Sequence, residues 1–188
     1  MKDIGDLKDT YENKNIMVTG GLGFIGSNLS NKLIELGANV LIVDPLVPGQ
    51  GGNLFNIHEF RDKVRVDFSD IRNQQTMNQL VQGQDFIFNL AAQSSHMGSM
   101  KDPFTDLDIN CRGHVALLEA CRKLNPKVKI TYTGTRSQYG KIKYLPVDKN
   151  HPLNPTDANG ITKLAGEQYH LLYHDAYELK SVSLRLTN

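Results

Sequence analysis

The chain has 188 residues, enough for one hydrophobic core, of which 39% are hydrophobic and 22% charged, with a formal net charge of +1. That balance excludes a disordered, collagen-like or membrane-embedded chain, and charges spread evenly along the sequence offer no surface for nucleic acid. The polar start MKDIGDLKDTYENKN lacks the apolar stretch of a secretory signal, and no apolar run approaches the roughly 20 residues that span a bilayer. A cytoplasmic protein is expected, in which Cys111 and Cys121 stay reduced and packed, since they have neither C-x-x-C spacing nor a histidine cluster.

Residues 1–13 read as a polar N-terminal extension with at most a short surface helix. From residue 14 apolar runs alternate with helical patterns. NIMVTG (15–20) is a buried strand ending in glycine, and IGSNLSNKLIELG (25–37) places Ile25, Leu29, Leu33 and Leu36 at helical spacing before Gly37. NVLIVD (39–44) is a second strand. The Pro- and Gly-rich stretch 45–60 reads as a loop leading into a short helix, KVRVDF (63–68) as a third strand and NQQTMNQLVQ (73–82) as a polar helix. DFIFNLAA (85–92) is a fourth strand, 104–124 one long amphipathic helix, VKITYTG (128–134) a fifth strand, 157–178 a helix and 181–188 a sixth strand. Strands apolar on both faces, alternating with helices, predict an α/β chain: a Rossmann-like doubly wound parallel sheet with helices on both faces and ligands at the carboxyl ends of the strands.

TGGLGFIG (19–26) joins the first strand to the first helix. Gly21, Gly23 and Gly26 fit G-x-G-x-x-G, and Gly20, Gly23 and Gly26 fit G-x-x-G-x-x-G. Such a turn needs residues without Cβ, lets a pyrophosphate approach the backbone, and ends on a helix N-terminus that stabilises phosphate, so Phe24 and Ile25 fall at the same ligand. Asp44 ends the second strand, where a carboxylate accepts hydrogen bonds from an adenosine ribose and repels a 2′-phosphate. With Pro45 and Leu46 next, no arginine welcomes NADP, and the expected cofactor is NAD.

DIR (70–72), NLAAQSS (89–95), YG (139–140), NGITKLAGE and the terminal LRLTN occur in order after the glycine turn. Together with it they resemble the extended short-chain dehydrogenases, the NAD-dependent nucleotide-sugar epimerase and dehydratase family, over nearly all of the chain after residue 14. The resemblance implies that Asp70 and Ile71 flank the adenine, that Leu90, Ala91 and Ala92 line the dinucleotide path, and that Asn110 matches the family's helix asparagine. It implies further that Thr133 lies near the nicotinamide, that Thr135 hydrogen-bonds the sugar hydroxyl being oxidised, and that Lys163 holds the nicotinamide ribose.

The family's catalytic tyrosine stands four residues before the lysine, on the same helix face. Here that position is Asn159, and an amide exchanges no proton near neutrality, though it can still hydrogen-bond a hydroxyl. Tyr132, Tyr139 and Tyr144 are near in sequence; Tyr139 is the nearest stand-in and reads better as the packing tyrosine of the Tyr-Gly pair. His96 could reach the substrate side or simply form wall. The base is left unassigned. The family's 4,6-dehydratases place Asp-Glu after the threonine, and Arg136 and Ser137 stand there instead, which disfavours that elimination.

Family members continue a hundred residues or more beyond LRLTN, so the expectation is a cofactor domain over 14–188 with the substrate domain absent, inactive alone, from an enzyme acting on a nucleotide-sugar by transient hydride transfer. The alternative is a non-catalytic NAD(H)-binding sensor or scaffold. The resemblance also implies a homodimer through helices 104–124 and 157–178, with Leu107, Val115, Leu118, Leu172 and Ala176 as candidate contacts.

Overall fold

A computed structural model describes residues 4–187. Six parallel strands form one sheet in the order β3-β2-β1-β4-β5-β6. They are β1 (Asn15–Thr19), β2 (Asn39–Val43), β3 (Arg65–Asp67), β4 (Phe86–Asn89), β5 (Lys129–Thr135) and β6 (Ser181–Leu186). The order reverses direction between β1 and β4, which opens a crevice at their carboxyl ends.

Alternation along the strands builds a core on each face. Ile16, Val18, Val40 and Ile42 point one way, against α2 (Phe24–Glu35) and a 3-10 segment (Leu54–Lys63) through Leu33, Ile57 and Phe60. Met17, Leu41, Val43, Ile87 and Ile130 point the other way, against α3 (Gln74–Leu80), α6 (His114–Leu124) and α7 (Ala158–Tyr177). The N-terminal α1 (Ile4–Tyr11) is more than a surface lead-in, because Tyr11 packs its ring edge-on against Phe86 at 5.2 Å.

Three local differences from the sequence pattern bear on the site. The single helix expected over 104–124 is α5 (Pro103–Leu107), a π-helical turn (Asp108–Gly113) and α6. Asp102 caps α5 by accepting the Thr105 N–H, Pro103 begins it, and a Cβ on Gly113 would stand 2.8 Å from Ile71, so the widened turn runs hard against the β3–α3 connection. A short α4 (His96–Lys101) was not anticipated; its cap, Ser95, accepts the Gly98 N–H. Leu118, a candidate contact for a second subunit, is fully buried in the chain's own core. Leu107 and Leu172 are about half exposed, at 49% and 52%.

The edge strand β6 is held to α7 by charge. Glu167 of α7 is buried and pairs with Arg185 of β6 through both carboxylate oxygens, while Ser183 and Gln138 donate to Glu167 Oε2. Burial alone would raise the Glu167 pKa, but the bonds from Arg185, Gln138 and Ser183 outweigh it and hold the carboxyl below its ordinary value. Arg185→Ala strands this carboxylate in the interior, and a loss of about 3–5 kcal/mol in urea unfolding is expected. A loss below about 1 kcal/mol would show the pair to be ornamental.

Candidate active site

The glycine turn and the ends of β2 and β4 enclose a cleft of about 390 Å³. Gly20, Gly23, Phe24, Ile25, Gly26, Asp44, Asp70, Ile71, Leu90, Ala91, Ala92 and Thr133 all line it, together with Pro45, Val47 and Gln50–Gly52 of the loop after β2. Backbone contact dictates the glycines. A Cβ on Gly26 would sit 2.3 Å from the Gly20 carbonyl oxygen, and Gly20 itself has φ +66°. At Gly23 the nearest atom to an added Cβ is 3.3 Å away, leaving backbone exposed to the cleft. Gly23 is also the cap of α2 and has no side chain to satisfy the first-turn N–H groups, so these are available to an anion.

Asp44 is buried at the cleft wall. Its Oδ2 accepts the Leu22 N–H and its Oδ1 the Leu46 N–H, which fixes the carboxylate while leaving lone pairs for a ligand. Asp70 accepts two bonds from the Arg72 guanidinium and one from the Arg72 N–H. Burial would raise its pKa, and the Arg72 bonds lower it further than that.

Behind the cleft lies one amide that sequence inspection did not single out. Asn89, at the end of β4 and fully buried, accepts from Thr19 Oγ1 at 2.8 Å and donates to His114 Nδ1 at 2.8 Å and His170 Nε2 at 3.1 Å. The Thr19 oxygen in turn accepts the N–H groups of Leu90 and Ala91, which orients the cleft's floor. His170 Nδ1 then donates to the Gly166 carbonyl, and burial disfavours protonation of both rings.

Four expected residues stand outside the cleft lining. Asn110 is sealed in the π turn, where its amide accepts the Gln93 N–H and donates to the Gln93 carbonyl and to Asp106. Both ends of the side chain thus clamp the backbone after β4. Asn159 does share the buried face of α7 with Lys163, but its amide nitrogen donates to the Gln93 carbonyl at 2.7 Å and to Asp106 Oδ1 at 3.3 Å. Both hydrogens are thus turned inward, away from a substrate hydroxyl. Asp106, buried and overlooked in the sequence, also accepts from Thr162.

Lys163 Nζ donates to the Thr133 carbonyl at 2.6 Å and lies 4.7 Å from the Tyr132 ring centre. Burial lowers its pKa to about 8, against the pull of Asp106. Thr135 caps the turn Arg136–Tyr139: its Oγ1 accepts the Ser137 N–H, and its own N–H donates to Gln138 Oε1. The three tyrosines are each engaged elsewhere: Tyr132 with the Lys163 carbonyl, Tyr139 with Arg185, Tyr144 with Asp148.

A profile of the family described as "NAD dependent epimerase/dehydratase family" matches residues 16–188. The chain belongs to that family. Among its relatives, the UDP-glucose 4-epimerase of Lacticaseibacillus casei is 35% identical over 177 residues, covering 92% of this chain and 51% of that one. The UDP-glucose 4-epimerase of Thermotoga maritima, solved with UDP-glucose, superposes with TM-score 0.83 at 32% identity over 91% of this chain and 54% of that one. The Thermus thermophilus UDP-glucose 4-epimerase complex with NAD gives TM-score 0.82 at 30% identity, over 91% and 54%. The chain spans about half the length of the curated relatives it matches. NAD is the cofactor of the family, and no helix among the described residues is long and apolar enough to cross a membrane.

Burial pushes His114 well below its ordinary value, and it lowers His170 to about 4. In the unfolded chain both titrate near 6.5, so between about pH 6.5 and 4 the unfolded state binds more protons and folding weakens as pH falls. Thermal melting should drop from about pH 7 to about pH 5, and by less in His170→Gln. A melting temperature flat across that range would refute the assignment of neutral buried rings.

Proposed function

We propose that this chain is the NAD-binding half of a nucleotide-sugar epimerase that oxidises a sugar carbinol transiently and returns the hydride. The observation that carries the reading is the cleft itself, where a phosphate-accepting glycine turn after β1 and a fixed Asp44 at the end of the adjacent β2 line one cavity beside the sheet's switch point. NAD fits it: the free N–H groups of α2 would take the pyrophosphate, Asp44 the adenosine ribose, and Asp70 and Ile71 the adenine side. Lys163, kept cationic beside Thr133, would donate to the nicotinamide ribose, and Thr135 would hold the sugar hydroxyl. When bound, NAD supplies the hydride acceptor.

The nucleotide-sugar class is proposed on the relatives' activities, and an epimerase over a 4,6-dehydratase on Arg136 and Ser137, which stand where the elimination catalysts of the family carry an acidic pair. A homodimer through the helical stretch 104–124 and α7 belongs to the same proposal, with Leu107 of α5 and Leu172 of α7 as exposed contacts. Sedimentation at micromolar concentration should show a dimer; a monomer alone would remove that part.

Calorimetric titration tests the cofactor. NAD should bind more tightly than NADP, and Asp44→Asn should weaken NAD by roughly 10- to 100-fold, as expected for about 1.5–3 kcal/mol of charged hydrogen bonding. The same change should narrow the NAD/NADP ratio. Equal affinity for both cofactors in the unaltered protein would overturn the assignment of Asp44 to the ribose. Binding of NAD with no oxidation of any nucleotide sugar by the protein at its natural length would favour the sensor or scaffold reading.

A further inference from the structure

Three side chains from three separate segments meet beside Thr135, outside the cofactor cleft. His96 opens α4, Asp157 caps α7, and Ser137 lies in the turn after β5. His96 Nδ1 is 3.0 Å from Asp157 Oδ2, and His96 Nε2 is 3.4 Å from Ser137 Oγ. Asp157 is itself held, because its Oδ1 accepts the Gly160 N–H at 2.7 Å. A carboxylate in this setting only accepts, so Nδ1 carries the hydrogen and the Nε2 lone pair points at the Ser137 hydroxyl. Ser137 is tied to Thr135 by its N–H, which donates to Thr135 Oγ1. The imidazole is 53% exposed, so its outer nitrogen is open to a ligand.

Other titratable groups near this face already have partners. Tyr132 donates to the Lys163 carbonyl and Tyr144 to Asp148, Lys163 Nζ donates to the Thr133 carbonyl, and Asp106 is sealed beneath Asn159 and Thr162; the Tyr139 hydroxyl accepts from Arg185, whose guanidinium also lies over its ring. An imidazole is also the side chain suited to exchanging a proton near neutrality.

We propose that His96, aligned by Asp157, is the general base and acid of this site, taking the role that Asn159 cannot fill. This rests on the nucleotide-sugar reading above. The sugar hydroxyl held by Thr135 sits within reach of His96 Nε2, on the side where Ser137 Oγ now lies. Its O–H bond breaks with the proton passing to Nε2, the carbinol C–H bond breaks with its electron pair passing as hydride to NAD, and a C=O bond forms. The imidazolium then returns the proton as the hydride returns to the carbon. Asp157 is a positioning residue that fixes the tautomer and stabilises the imidazolium. Histidine gains a proton in the step and loses it in the reversal, so no further reactant is required.

The test uses the protein at its natural length, NAD and a panel of UDP- and CDP-hexoses, with calorimetric NAD affinity measured alongside. His96→Gln is expected to lower kcat by about 10²-fold or more, with NAD affinity and sugar KM little changed, and added imidazole should restore part of the activity of His96→Ala. Asp157→Asn keeps the helix cap but removes the carboxylate partner. Nitrogen-15 NMR of the His96 ring should show the Nδ1–H form in the unaltered protein and a mixture in Asp157→Asn. Turnover unchanged in His96→Gln, a raised KM at constant kcat, or a dominant Nε2–H form would overturn the proposal and leave the epimerase reading standing. An unaltered protein that binds NAD but oxidises none of the sugars would overturn both.

Discussion

One buried amide holds the centre of this molecule together. Asn89 ends β4 at the point where strand order reverses, and its two donors and one acceptor reach α6, α7 and β1. Each of those partners would otherwise be a polar group stranded in the interior, at a cost of about 1–3 kcal/mol apiece. Because Thr19 passes the interaction on to the N–H groups of Leu90 and Ala91, the same network that docks two helices also shapes the cofactor cleft. Stability and site geometry are therefore one problem here. Burial in this low-dielectric interior disfavours the charged form of both rings, and His114 Nε2 has no partner among the described residues.

The two sides of the crevice are built from different material. The cofactor side is mostly backbone: close approach at Gly20 and Gly26, free N–H groups at α2, and one carboxylate pinned by main-chain donors. Backbone geometry of this kind demands glycine at fixed spacing, so TGGLGFIG and Asp44 were legible in the sequence, as was the doubly wound sheet from its alternating apolar runs. The other side, around Thr135 and the start of α7, is made of side chains brought together from distant segments. His96 and Asp157 are 61 residues apart, and Asn159 and Asp106 are 53 apart. No local pattern announces such pairs, and Asp106, Asp157 and Gln93 went unnoticed for that reason. Asn110 was picked out by its place in a motif, but its role in clamping Gln93 depends on a π turn that helical periodicity does not reveal.

The turn after β5 shows how that side of the crevice is kept rigid without a large core beneath it. Gln138 accepts the Thr135 N–H and donates to Glu167, which is locked by Arg185. A Cβ on Gly134 would stand 2.1 Å from the Gln138 oxygen, so the glycine is needed to admit that side chain. Thr135 and Ser137 are thereby fixed against α7 and β6 together. The loop after β2 is built the other way, with Gly49 and Gly51 at φ +78° and +86° and open space around both, as suits a wall that has to admit a dinucleotide.

Asn159 belongs to that wiring. Its amide and that of Asn110 both donate to the carbonyl of Gln93, and Gln93 in turn holds Ser95, whose side chain caps the helix that begins with His96. A phenol at position 159 has one donor where the amide has two, and its ring would have to occupy space now shared by Gln93 and Asp106. Either the Gln93 carbonyl or the Asp106 carboxylate would lose a partner in the interior, and an under-bonded buried carboxylate is the more costly of the two. Asn159 is thus one end of a chain of hydrogen bonds that runs through Gln93 and Ser95 to the start of the helix that carries His96.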